Sequence, residues 1–210
     1  MVKLKRMSLG PLGTNCYIVY DNKHALIIDP GGEASNIVEF LQQEGLSACA
    51  ILLTHAHFDH IGGVQLLRTD LALDVYLHQN EQDWLDNPEL NRSASFGAEI
   101  VTKRAEHILQ SGKIQVGPFL FDVIHTPGHS PGSVSFIFEE AGFVISGDVL
   151  FQQGIGRTDL PGGDMKQLET SIRRKLYLLD DAFVVYPGHG PETTIKAEKE
   201  NNPFFPGLSS

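Results

Sequence analysis

Three histidines and an aspartate crowd into His55-Ala56-His57-Phe58-Asp59-His60, directly behind the apolar run Ile51-Leu52-Leu53. The whole chain has nine histidines, so composition alone does not produce this density. On an extended segment His55 and His57 project to one side and can chelate a single cation, while Asp59 and His60, where a helix begins, can face a second position. Three further apolar runs end in the same way. Phe121 to Ile124 leads through Thr126-Pro127-Gly128 to His129, Phe143 to Ser146 leads through Gly147 to Asp148, and Phe183 to Tyr186 leads through Pro187-Gly188 to His189. Each delivers a metal-ligand residue type just past a buried strand, where a sheet holds loops rigidly. Pro and Gly before His129 and His189 let the backbone turn sharply and present the imidazole. A single histidine at a strand end is most often a polar cap, and one HxHxDH stretch by itself is a weak signal. Four such strand ends in one chain make coincidence a poor account. The set offers imidazole nitrogen and carboxylate oxygen without thiolate, which suits zinc, iron or manganese and disfavours a structural cysteine site or a calcium cage.

The other candidates read as structural. His24 sits beside a turn, His78 at a strand end and His107 in polar sequence; His125, four residues before His129, is assigned a structural role over that of orienting a ligand. Cys16 and Cys49 form no CxxC pair and read as small buried hydrophobes.

The elements that must position these residues are short and punctuated. The runs Cys16–Tyr20 and His24–Asp29 flank Asp21-Asn22-Lys23 and predict a hairpin. A helix follows Pro30-Gly31-Gly32, with Ile37, Phe40 and Leu41 on one face and a stop at Gly45. A strand over 48–53, a helix from about Gly62 to Arg68 and a strand over 74–78 come next, whereas 81–110 shows only short helical pieces. The second half repeats the plan. Strands at 113–116 and 119–124 precede a hairpin around Glu139-Glu140-Ala141-Gly142, a helix spans Asp164 to Leu179, a last strand covers 182–186, and a short polar helix covers Thr193 to Glu200. Both hairpins end their second strand in aspartate, in Ile27-Ile28-Asp29 and in Ser146-Gly147-Asp148, which suggests two similar halves. Strands interleaved with helices in each half predict an α/β protein, an α/β/β/α sandwich, and no Pro-, Ser- or charge-rich linker divides it, so 1–210 is expected to be a single domain.

A net charge of −10 argues against a nucleic-acid backbone or an anionic membrane as partner. The basic start lacks the apolar core of a signal peptide, and no apolar run approaches the length of a membrane span. A cytoplasmic protein, monomer or small homo-oligomer, is expected.

Taken in order, THAHFDH, TPGHSPGSV, SGDVLF and YPGHGPET resemble the metallo-β-lactamase superfamily, and within it the glyoxalase II branch, the hydroxyacylglutathione hydrolases. The similarity runs from the early hairpin to His189. It implies the same four-layer α/β/β/α sandwich. Position by position it implies a first metal on His55, His57 and His129, a second on Asp59, His60 and His189, and Asp148 bridging both; Asp59 and Asp148 are then the carboxylates of the catalytic centre. Two divalent ions, zinc foremost, would share a hydroxide that attacks a thioester carbonyl, as in S-lactoylglutathione, while the developing oxyanion is stabilised electrostatically.

The resemblance has departures. Glyoxalase II carries a helical C-terminal domain whose basic residues grip glutathione, and this sequence ends soon after His189. Arg157 falls where that family has a lysine for a glutathione carboxylate, while Asp159 and Pro191 replace two substrate-binding tyrosines. Arg157 is thus the candidate substrate contact, weighed equally with an ion-paired surface arginine, and another thiol carrier is open. The rival reading is an iron-dependent persulfide dioxygenase of the same superfamily, with one iron on His57 or His55, His129 and Asp148. The Gly156-Arg157-Thr158-Asp159 stretch recurs in that branch; Pro187-Gly188-His189-Gly190-Pro191 favours the hydrolase. The superfamily's nucleases need an added RNA-binding domain that this sequence lacks. A binding module without catalysis predicts a broken ligand set, yet all seven positions are filled.

Overall fold

A computed structural model describes residues 2–207. The chain contains two compact units, residues up to 109 with 115–119, and 110–114 with residues from 120 onward.

The first unit holds β1 (Lys3–Leu9), β2 (Thr14–Tyr20), β3 (His24–Ile28), α1 (Ala34–Glu44), β4 (Ser47–Leu52), α2 (Phe58–Ile61), α3 (Val64–Leu71), β5 (Val75–His78) and β6 (His107–Leu109). They make one sheet in the order β1-β2-β3-β4-β5-β6, antiparallel from β1 to β3 and parallel from β3 to β6. The β2–β3 hairpin turns on Asp21, whose Oδ1 accepts the N–H of Lys23 and of His24, both at 2.7 Å, an Asx turn. β2 is buried along nearly all its length, so side chains on both of its faces are covered. Helix α1 buries Ile37 and Leu41 and sets Phe40 edge-on against Tyr20 at 5.6 Å. Burying a side chain such as Ile37 contributes about 2 kcal/mol.

Strand β1 was not expected from so basic a segment. It is an edge strand, where lysines are protective, and Lys3 and Lys5 lay their ammonium groups over the rings of Tyr20 and Phe40 at 5.7 Å and 5.8 Å. The single helix expected near Gly62 is two, α2 and α3, meeting at Gly62-Gly63. Between β5 and β6 there are only two 3-10 turns, Gln79–Trp84 and Ser93–Phe96. Asn91 replaces regular pairing there: its amide donates to the carbonyls of Trp84 (3.0 Å) and Ile100 (2.8 Å) and accepts from the N–H of Ser93 (2.9 Å). That is why the stretch has no period to read.

The second unit follows with β7 (Gly112–Val116), β8 (Phe119–His125), β9 (Val134–Phe138), β10 (Phe143–Gly147), β11 (Leu150–Phe151), β12 (Gly154–Ile155), α4 (Met165–Arg174), β13 (Val184–Pro187), β14 (Thr193–Thr194) and α5 (Ile195–Asn201). Its sheet, in the order β14-β13-β10-β9-β8-β7, lies in this unit apart from residues 115–119. Helix α4 is capped by Asp164, which accepts the N–H of Gln167 at 2.9 Å. It ends at Arg174, and a 3-10 turn over Leu176–Leu178 carries the rest of the expected helix. Helix α5 is the short polar helix expected, over Ile195–Asn201, and it buries Ile195 and Glu198. β11, β12 and β14, each of two residues, were too short to be read.

The order β2–β3–α1–β4 recurs as β9–β10–α4–β13: an antiparallel hairpin, a helix, then a strand parallel to the hairpin's second strand. The mixed α/β architecture of two sheets with helices, in two similar halves, is the fold class read from the sequence. Among the described residues no helix is long and apolar enough to cross a membrane.

Candidate metal centre

In the first unit His55, His57, Asp59 and His60 are all buried, delivered by the turn after β4 and by the start of α2. Their support is Asp29, just past β3. Its Oδ1 accepts the N–H of Thr54 at 2.7 Å, and its Oδ2 accepts the Thr54 hydroxyl at 2.6 Å and faces His60 Nδ1 at 3.0 Å. The one hydroxyl proton of Thr54 goes to Asp29, so its oxygen is the acceptor for His55 Nδ1 at 3.1 Å. Both rings therefore carry their proton on Nδ1 and their lone pair on Nε2, the arrangement a metal-binding imidazole needs. Thr14 on β2 donates its hydroxyl to Asp59 Oδ2 at 2.7 Å, and His60 Nε2 lies 3.5 Å from the same oxygen. Glu81, fully buried, accepts the N–H of Ala56 at 2.6 Å and so fixes the segment between His55 and His57. Ligand atoms of His55 with His57, of His55 with His60, and of Asp59 with His60 lie within 4.8 Å of one another. Beneath them Gly31 has no room for a side chain, since a Cβ would fall 2.0 Å from the carbonyl oxygen of Asp59.

In the second unit Asp148 Oδ2 lies 3.6 Å from His129 Nε2 and 3.5 Å from His189 Nε2. His129 and Asp148 are buried and His189 half-buried. His129 Nδ1 donates to the carbonyl oxygen of Arg157 at 2.8 Å; a carbonyl only accepts, so this ring too has its lone pair on Nε2. Gly156 packs its backbone on Asp148, where a Cβ would meet the carbonyl oxygen at 1.8 Å. The glycine turn expected before His129 is present, with Gly128 at φ 136; near His189 the positive φ falls after the histidine, at Gly190. The Arg157 guanidinium is engaged within its own loop: Nε and Nη2 donate to Asp159 Oδ1 and Oδ2 at 2.8 Å and 2.7 Å. That fork holds the exposed Asp159 carboxyl down to about 2.

Among these side chains are groups of histidine and aspartate able to hold a metal ion. Lone pairs on fixed imidazoles, joined by carboxylate oxygens, fit a divalent cation of borderline softness. Cys16 adds no thiolate, because burial in the first unit's core pushes its thiol well up. His24, His78, His107 and His125 lie outside the clusters; His125 Nε2, for example, donates to the carbonyl oxygen of Pro131 at 2.9 Å. Thr14, Thr54, Glu81 and the Arg157 carbonyl went unread in the sequence. For Asp29 a signal existed, since it closes its hairpin as Asp148 does.

Comparison with known proteins agrees with this picture. The model of the metallo-beta-lactamase superfamily matches residues 9–189. The probable metallo-hydrolase YqgX of Bacillus subtilis is 48% identical over 99% of this chain and 100% of its own length. The hydroxyacylglutathione hydrolase GloC of Haemophilus influenzae is 38% identical over 91% of this chain and 92% of its own. Among solved structures, the BLEG-1 B3 metallo-beta-lactamase superposes with a TM-score of 0.94 at 49% identity, over 96% of this chain and 99% of that one. A di-iron-bound form of TTHA1623 superposes with a TM-score of 0.87 at 42% identity, over 96% and 100%.

Proposed function

This chain belongs to the metallo-β-lactamase superfamily, and on that premise we propose that it is a metallo-hydrolase cleaving thioesters of the hydroxyacylglutathione kind. The observation that carries a metal-dependent reaction is Asp148, one carboxylate oxygen 3.6 Å and 3.5 Å from the Nε2 atoms of two histidines, and hydrolysis rests on the likeness to the probable metallo-hydrolase YqgX. The thioester rests on the likeness to GloC along nearly the whole of both chains.

By the superfamily likeness, His55, His57 and His129 would hold one divalent cation and Asp59, His60 and His189 a second, with Asp148 serving both. Bound there, such ions would supply Lewis acidity toward an acyl oxygen and a water that ionises near neutral pH. The chain's own residues do the positioning. Asp29 and Thr54 keep the Nδ1 protons of His60 and His55 in place, and the Arg157 carbonyl does so for His129. Thr14 turns the Asp59 carboxylate. The Arg157 guanidinium is the contact for an anionic group on the thiol carrier, which must displace Asp159 from its fork. Zinc is the ion we assign, on the nitrogen and oxygen donors; iron is the alternative, because TTHA1623 was solved in a di-iron-bound form.

A second reading, opening of a β-lactam ring, is favoured by the 49% identity to BLEG-1. Both break an acyl bond and differ in the leaving group, thiolate or amide nitrogen. The test is protein reconstituted with zinc, manganese or iron and given S-D-lactoylglutathione, with free thiol followed by a chromogenic reagent. A chromogenic cephalosporin and, for the dioxygenase, oxygen uptake with glutathione persulfide run in parallel. We expect metal-dependent thiol release that a chelator abolishes. Turnover of the cephalosporin alone, or oxygen uptake alone, overturns the thioesterase.

A further inference from the structure

We propose that Glu198, on α5, is a positioning residue for His129, Asp148 and His189. The inference rests on reading those three as metal ligands. Glu198 is 1% exposed, and its carboxylate accepts from three different segments. Oε1 takes the Thr193 hydroxyl at 2.7 Å, Oε2 takes the Asn202 amide at 2.8 Å, and the N–H of Gln153 is shared between the two oxygens at 3.1 Å and 3.0 Å. The Asn202 amide also donates to the carbonyl of Gly154 at 3.1 Å, and its own oxygen accepts the N–H of Phe204 and Phe205 at 3.0 Å and 3.1 Å.

What Glu198 grips is the turn between β11 and β12. Gln153 there has φ 52, a left-handed conformation that a non-glycine residue keeps only where its surroundings hold it. Both ends of this hairpin carry the site. Asp148 leads into it, and Gly156 and Arg157 leave it, with Gly156 packed on Asp148 and the Arg157 carbonyl receiving His129 Nδ1. The N–H of Gly156 returns to the Val149 carbonyl at 3.3 Å and closes the hairpin. His189 lies in the loop between β13 and β14. Thr193, which opens β14 and pairs with Val185 of β13, donates to the same carboxylate. One buried carboxylate therefore ties down the hairpin after Asp148 and the loop that carries His189.

An apolar side chain would seat α5 without the desolvation cost of a buried carboxylate. A carboxylate adds directional bonds to two separate turns, which serves ligand placement more than burial.

The test compares wild type with Glu198→Gln and Thr193→Val, all well below their melting temperatures, by zinc competition with a chromophoric chelator and by steady-state kinetics. Glu198→Gln keeps the shape and withdraws one acceptor. It should bind zinc several-fold more weakly, short of the roughly 10-fold cost of losing a direct partner of a ligand, and lose kcat more than it raises KM. Thr193→Val, which frees only the His189 side, should show the same change to a smaller degree, and it carries the test if Glu198→Gln does not fold. A lower Tm with wild-type zinc affinity and kcat in the folded variants would make Glu198 merely structural and overturn the proposal. A wild-type protein that binds no zinc, manganese or iron overturns the ligand reading beneath it, and the inference falls with it.

Discussion

Asp29 and Asp148 stand at matching places, each just past the second strand of a hairpin that is followed by a helix and a parallel strand. In the first unit both oxygens of Asp29 are committed to Thr54 and His60. In the second, Asp148 turns one oxygen toward the Nε2 atoms of two histidines. The difference follows from where the imidazoles come from. The first unit draws His55, His57, Asp59 and His60 from one short segment, so a buried side chain can serve as their common anchor. The second gathers His129, Asp148 and His189 from three separate loops, and its anchors are a main-chain carbonyl, a close glycine contact and a remote carboxylate. Repetition of the fold has conserved the position of the aspartate and not its work.

The sharpest way to break this comparison is to remove each aspartate. Asp29→Ala strands three buried donors, each worth about 1–3 kcal/mol when left unpaired. Their sum is a large share of the roughly 5–15 kcal/mol that holds a domain together, so we expect a large fall in the denaturation midpoint, with Asp29→Asn losing less. Asp148→Ala should leave the metal-free midpoint within about 1 kcal/mol of wild type while abolishing metal-dependent turnover. Equal losses of stability from the two would end the distinction between anchor and ligand.

Glycine contacts sharpen it further. A Cβ at Gly31 would press on the Asp59 carbonyl, and one at Gly156 on Asp148 beside His129. Because the reading gives Asp59 to one ion and Asp148 to both, Gly31→Ala should cost one metal equivalent and Gly156→Ala two, counted by elemental analysis after dialysis. Thr14→Val, which removes only the hydroxyl on Asp59, should weaken retention of that one ion about tenfold. A loss from Thr14→Val as great as from Gly31→Ala would mean that orientation of the carboxylate matters more than its place.

The same contrast explains how much of the fold and of the candidate site shows in the sequence. The cluster at His55–His60 was legible because its members are contiguous, and His129, Asp148 and His189 stood out because apolar runs repeat before Gly-His and Gly-Asp. The hairpins and α1 were legible through apolar runs bounded by turn residues, helical spacing and the turn at Asp21. Strand β1 was hidden because an edge strand favours charge, which reads as solvent. The stretch 79–106 was hidden because Asn91 and Arg68 hold it through side-chain bonds to carbonyls, and these impose no period. Glu198 was hidden for a related reason: a glutamate on a short, otherwise polar helix carries no mark that its partners lie some 45 residues upstream as well as beside it.

The smallest predicted effect concerns two carboxyls that share a pKa and differ in burial. Burial pushes the Glu106 carboxyl up, but the N–H of Val75, the Arg68 guanidinium and the Lys103 ammonium outweigh it and hold the group at about 2. Its Oε2 lies 2.6 Å from Nη2 of Arg68, whose side chain is 4% exposed. Asp159 is also held at about 2, by the Arg157 fork, but both partners are exposed. A carboxyl whose folded pKa is depressed stabilises the fold fully above its ordinary value and loses that contribution as pH falls through the folded one. Glu106→Gln should therefore destabilise by about 1 kcal/mol at pH 7, discounted for screening, and the gap from wild type should close between about pH 4.5 and 2. Asp159→Asn should give a gap of the same sign but far smaller, since both partners are exposed and water screens the pair. A gap for Asp159→Asn as large as that for Glu106→Gln would show that the loop after β12 is tied into the fold of the second unit as firmly as Arg68 and Glu106 are tied into the first, and the contrast between anchored and gathered halves would narrow to the metal-ligand reading alone.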